Sequence, residues 1–200
     1  MRKISFILAI LMILSTMLVF ASCTDKSEDG DKNNDKTDAN VTKSIDPADA
    51  VLADMVAAIE EKENFSEKVS EILYKAEDPD EMVCWTYGVI DINAYDLLSD
   101  YVITMPSDYS HTLAILKFED GMTAEDFEEV KNAITAEYIK SRSSALQMYM
   151  PSEYANVEWA LQNPDKVWRQ YGDNMLVLAI TTGEEPAAVW AAIDNYLAGK

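Results

Sequence analysis

The chain opens with two blocks of opposite character. From Ile4 to Cys23 nearly every residue is apolar, and from Thr24 to about Ser44 almost none is. Beyond them the apolar positions become periodic. Val51, Leu52, Met55, Val56 and Ile59 recur at helical spacing, with Asp54, Glu60 and Glu61 on the opposite face. Asp46-Pro47-Ala48-Asp49 stands before them as a helix start, with a capping acid, a first-turn proline and a second acid. Phe65, Val69, Ile72 and Leu73 predict a second helix. Asp78-Pro79 opens a third, ended by Gly88, although Val83-Cys84-Trp85-Thr86-Tyr87 also suits a strand.

Further on, runs rich in β-branched and aromatic residues replace the helical period. Tyr101–Met105 and Thr112–Phe118 predict two strands, bounded by Pro106-Ser107-Asp108 and Glu119-Asp120-Gly121. Thr123, with Asp126 three residues on, caps a long helix through Phe127, Val130, Ile134, Tyr138 and Ala145 to about Leu146. Pro151 restarts a helix through Tyr154, Val157 and Leu161. Lys166–Tyr171 and Met175–Thr181 predict a second hairpin across Gly172-Asp173-Asn174. A last helix begins near Glu184 and buries Val189, Trp190, Ile193 and Leu197. Two hairpins with helices between them predict an α+β fold. It is a two-layer sandwich, an antiparallel sheet of about four strands covered by helices, after a signal peptide and a disordered tether. The expected organisation is a signal peptide over 1–22, a flexible tether over 23–45 and a single α+β domain over 46–200.

The leader carries the sharpest chemical signal. Arg2-Lys3, the apolar block and the small residues Ala21 and Ser22 form a secretory signal. Cys23 at the cut, followed by Thr24-Asp25-Lys26-Ser27, makes it resemble a bacterial lipoprotein signal, with Phe20 where such signals usually carry Leu. The expectation is a diacylglyceryl group on the Cys23 sulfur, holding the domain on the outer face of the cytoplasmic membrane. Two alternatives stand beside it. The 20 residues Ile4–Cys23 are long enough for an uncleaved membrane helix, and cleavage without lipid would release the domain.

Charge changes the list of partners. The chain carries a formal net charge of −20. The tether is nearly balanced, leaving thirty of the 36 acids and ten of the 16 bases to Asp46–Lys200. Such a domain repels phosphate backbones, so no nucleic acid is expected as a partner. Direct docking on anionic lipid is disfavoured for the same reason. The expected partners are the membrane, through Cys23, and an envelope protein or wall polymer.

Candidate catalytic residues do not assemble along the sequence, and no catalytic residue is assigned. Asp108, Ser110 and His111 have the side chains of a triad, but strand neighbours point to opposite faces. One Cys84 and one His111 do not make a zinc site, and no cofactor is expected. Cys84, among Met82, Val83 and Trp85, reads as a small buried hydrophobe. Asp29–Asp35 faintly resembles a calcium loop but places Asn34 where glycine is needed. The acidic loops Glu77–Glu81 and Glu119–Gly121 are further candidates for a hard cation, and Glu128-Glu129 read as a solvated helix face. Tyr149, Tyr154 and Trp159 are the candidate ligand patch, since Tyr and Trp offer flat contact area with a polar tip. Core packing is the competing reading for them and for Trp168 and Tyr171.

The order of these motifs also resembles a family of Gram-positive lipoproteins catalogued as domain of unknown function 4358. The likeness runs from about Phe65 to Leu197. It rests on Tyr87-Gly88, Leu113–Lys117, the acidic helix after it, Tyr149-x-Pro151-x-x-Tyr154, and the hairpin through Gly172 into Leu176-Val177-Leu178. The Pro164–Trp168 stretch departs from that pattern. The resemblance implies the same address and fold, and no site. It also connects faintly with O-acyltransferase systems of the envelope. Together these readings lean toward a non-enzymatic envelope binding or accessory module. The alternatives are a wall-polymer-modifying enzyme acting through carboxylates and an accessory subunit of an acyltransferase.

Overall fold

The computed structural model describes residues 44–87, 94–106, 111–119 and 122–200. The leader, Cys23 and the tether through residue 43 lie outside the described residues, as do Gly88, Asp108, Ser110, Asp120 and Gly121. Asp46 accepts a hydrogen bond from the Ala48 amide at 3.0 Å and starts a short 3-10 turn over Pro47–Asp49. Helix α1 then covers Leu52–Glu60 and buries Leu52, Met55, Val56 and Ile59, the predicted stripe.

The chain next forms strand β1 (Val69–Tyr74), short helices α2 (Met82–Tyr87) and α3 (Ala94–Leu97), and strands β2 (Leu98–Pro106) and β3 (Thr112–Phe118). A helical run follows: α4 (Ala124–Ile134), a π-helical turn over Thr135–Ile139, and α5 (Lys140–Tyr149). Helices α6 (Pro151–Gln162) and α7 (Pro164–Val167) lead to strands β4 (Trp168–Tyr171) and β5 (Met175–Ile180), and α8 (Ala187–Leu197) ends the domain. The five strands form one sheet in the order β1-β2-β3-β5-β4, antiparallel at every pairing. The α+β class is therefore as the pattern predicts, with five strands rather than four.

The extra strand is β1, where residue spacing predicts a helix. Val69, Ile72 and Leu73 fit either period, and pairing with β2 (Ile72 opposite Thr104, Leu73 opposite Ile103) decides for the strand. A bulge between Val69 and Glu71 hides the alternation. It turns Val69 to one face of the sheet and Leu73 to the other, although the two stand four residues apart.

Helices cover both faces of the sheet, which makes three layers instead of the expected two. On one face Val102, Leu113, Ile115, Met175, Val177 and Ala179 pack against α1 and α8. On the other, Tyr101, Ile103, Ala114, Leu116, Leu176 and Leu178 pack against α2, α4, α5 and α6. Strand β5 is buried at all six positions, so its unbroken apolar run reflects burial on two faces.

Smaller corrections concern element ends. Lys166 and Val167 are not in a strand, because Pro164 opens one helical turn before β4 begins at Trp168. The last helix starts at Ala187, after Pro186, and not near Glu184. The predicted long helix runs unbroken from Ala124 to Tyr149, a turn past the expected end near Leu146, and takes the π form over Thr135–Ile139. Its start carries the full capping box: Asp126 Oδ2 accepts from the Thr123 amide at 2.6 Å, and Thr123 Oγ1 accepts from the Asp126 amide at 3.2 Å. Gly172 turns the β4–β5 hairpin with a φ of 63°, a left-handed conformation that glycine adopts without steric cost.

Candidate functional site

Helix α2 has only six residues, and its composition fixes how it sits. Val83, Cys84 and Tyr87 point into the core, which leaves Trp85 on the outer side with 74 % of its surface exposed. The N-terminus of this helix is held by Asp78, which is buried. Its carboxylate accepts from the Met82 amide at 2.8 Å, the Val83 amide at 3.2 Å and the Tyr101 hydroxyl at 2.6 Å. The acidic loop Glu77–Glu81 thus spends Asp78 on a helix cap rather than on a cation. Among the described residues no group of three or more His, Cys, Asp and Glu is placed to hold a metal ion.

Trp85 stands at the edge of an open cleft of about 460 Å³. Thr86 from α2, Met105 from β2, Glu137 and Tyr138 from the π turn, and Ser141, Arg142 and Ala145 from α5 complete its lining. The π turn sets this wall. An extra residue in one helical turn advances the phase of everything after it, and such insertions are frequent at functional sites. Here it allows Ile134, Tyr138 and Ile139 all to be buried while Glu137, Ser141 and Arg142 line the cleft.

The base of the cleft is rigid. The Tyr138 ring stacks on Tyr87 with centroids 4.3 Å apart and planes 24° from parallel. The Arg142 guanidinium carbon lies 4.0 Å above the Tyr138 ring centre, a cation–π contact. Tyr138 and Thr112 share a hydrogen bond of 3.0 Å, and the Tyr87 hydroxyl donates to the Thr104 carbonyl at 2.8 Å. Burial pushes the pKa of both phenols up, that of Tyr87 well above its ordinary value. Arg142, Thr112 and Tyr87 pull against that rise at Tyr138. Both rings stay neutral at any physiological pH and serve as a fixed aromatic platform.

The residues singled out from sequence fall elsewhere. Tyr149 ends α5 and is 77 % exposed, beside Met148 at 72 %. Tyr154 and Trp159 are partly buried and pack against the core between the sheet and α6. None of the three lines the Trp85 cleft. Trp168 is buried in the same core and Tyr171 packs against the opposite one. His111 is buried and meets the Phe65 ring edge-on at 6.5 Å, while Asp108 and Ser110 lie outside the described residues. Cys84 is a buried free thiol, as expected. Burial pushes its pKa up, and the charges of Glu81, Asp78 and Asp96 push it further. Glycoside cleavage asks for two facing carboxylates, and among the described residues the cleft lining carries one, Glu137.

The cleft was not legible in the sequence because its residues come from three separate stretches of the chain, on α2, on β2 and on the run from the π turn into α5. One signal was available. Trp85 falls off the apolar stripe of its own short helix, and a large aromatic residue without a core-facing position is a surface candidate.

Compared with known proteins, the chain matches no family model, no curated protein and no solved structure.

Proposed function

We propose that this protein is a binding or accessory module of the cell envelope, held on the outer face of the cytoplasmic membrane by lipid on Cys23. The cleft beside Trp85 carries this reading. It combines an exposed indole, Tyr138 held in place by its stack on Tyr87, and polar side chains of both signs, which is the composition of a recognition surface. The leader supports the address: Arg2-Lys3, an apolar block and Ala21-Ser22-Cys23. The polar stretch after it supplies reach between membrane and domain. Among the described residues no helix is long and apolar enough to cross a membrane. Membership of the Gram-positive lipoprotein family that the motif order resembles is part of the same proposal.

The test is co-sedimentation of the full-length chain with purified cell walls and with membrane vesicles stripped of protein. Saturable recovery with the walls supports the reading. Recovery no better than that of an unrelated acidic protein overturns it.

A further inference from the structure

We infer that the cleft between Trp85 and Arg142 is a saccharide-binding site, taking a neutral pyranose unit of a wall polymer. The inference rests on the binding-module reading and names its site and ligand class.

A pyranose ring has two kinds of surface. One face is lined by axial C–H groups and is apolar, whereas the rim carries hydroxyls that each donate and accept. Trp85 offers a flat, solvent-facing ring for the first. Arg142, a donor only, and Glu137, an acceptor only, line the same cleft with the hydroxyls of Ser141 and Thr86. That set satisfies both halves of a sugar hydroxyl.

Other ligand classes fit less well. Among the described residues Arg142 is the cleft's one basic residue, in a domain with three acids for every base, so a polyanion is disfavoured. A purely apolar ligand would strip water from Arg142 and Glu137 without replacing it. An amphipathic helix needs a ridge of apolar anchors, whereas among the described residues Trp85, Met105, Ala145 and the Tyr138 ring share the lining with Thr86, Glu137, Ser141 and Arg142.

The site is also preorganised. Tyr138 is clamped by Tyr87, Thr112 and the Arg142 guanidinium, so the floor loses little freedom when a ligand arrives. Trp85 is the one strongly exposed tryptophan among the described residues. Trp168 and Trp190 are buried and Trp159 is partly so. Quenchable indole emission therefore reports on this site.

The experiment titrates the full-length chain in detergent with cellotetraose and chitotetraose, following tryptophan emission and acrylamide quenching. The expected result is a saturable blue shift and protection from acrylamide with at least one of them. In Trp85→Ala, which lacks the reporting indole, isothermal titration calorimetry on both chains shows affinity lower by about tenfold or more at unchanged thermal midpoint. Glu137→Gln also weakens binding, and its retained volume guards against a folding artefact. No saturable response to either oligosaccharide overturns the inference, as does equal affinity in Trp85→Ala. Protection from acrylamide by a wall stem pentapeptide and by neither oligosaccharide would overturn the saccharide assignment and reassign the cleft to peptide. Wall co-sedimentation separates the two claims. If Trp85→Ala sediments as well as the parent chain, the envelope reading stands and the cleft assignment falls. If neither sediments, the envelope reading fails independently.

Discussion

Tyr138 on the π turn lies 4.3 Å from Tyr87 on α2, ring over ring, and so joins the two elements that form the walls of the cleft. The contact crosses 51 positions of sequence between residues that share no local motif. It fixes the short helix that carries Trp85 to the long helical run that carries Arg142. The geometry of the proposed site therefore depends on a buried stack of which Tyr138 reaches the cleft floor and Tyr87 supports it from beneath.

Truncating that stack should cost folding stability. Tyr87→Ala removes a fully buried ring and is expected to destabilise by about 3–5 kcal/mol. Tyr138→Phe keeps the ring but leaves the Thr112 hydroxyl without that partner, at an expected cost of about 1–2 kcal/mol. Urea denaturation followed by circular dichroism measures both. Equal, small losses would show that the stack contributes little.

The phenols set a limit at high pH. Burial raises Tyr87 well above its ordinary value, raises Tyr138, and raises Tyr171 to about 12 with help from Asp194. A raised folded pKa means that the stabilisation is whole below the unfolded value of 10.0 and is lost as pH climbs through the folded one. Tyrosinate absorbance should thus rise in two stages, accessible rings first and the buried ones together with loss of near-ultraviolet dichroism. A single non-cooperative rise with the fold intact would contradict this.

The start of α4 gives a pH effect of opposite sense. The Thr123 hydroxyl, and then its backbone amide, holds Asp126 below its ordinary 3.8. A lowered folded pKa gives stability that is present above 3.8 and disappears as pH falls through the folded value. Thr123→Ala should cost about 1 kcal/mol at neutral pH, and the gap to the parent chain should narrow under acid. Urea midpoints at neutral and acidic pH check the sign.

Much of the fold was written in local pattern. The stripe of α1, the Thr123–Asp126 box and the Gly172 hairpin are all short-range devices, and each stands where the residues place it. What escaped depends on distant partners. Strand β1 takes its conformation from β2, and its bulge at Ser70 erases the alternation that marks a strand. The layer of α1 and α8 was visible only indirectly, in β5, whose lack of any polar position requires cover on both faces. The π turn left no trace in composition, because Tyr138 and Ile139 fit an ordinary helix until the phase of Arg142 is compared with theirs. For the same reason Tyr149, Tyr154 and Trp159 drew attention as aromatic neighbours in sequence, although the chain sends one outward and two inward.

Cys84 supplies a count that bears on the anchor. Burial, then the charges of Glu81, Asp78 and Asp96, keeps its thiol protonated near neutral pH. The native protein should resist a thiol reagent at pH 8 and react on unfolding. The chain has two cysteines, so a mature protein with lipid on Cys23 should release one thiol in urea. Rapid reaction before unfolding would contradict the buried environment.

The most direct test of the account is the mass of the native protein extracted from membranes. The expected result is a chain that begins at Cys23, with a diacylglyceryl group on its sulfur and no leader. A chain that still begins at Met1, or a bare cysteine at its start, would contradict it.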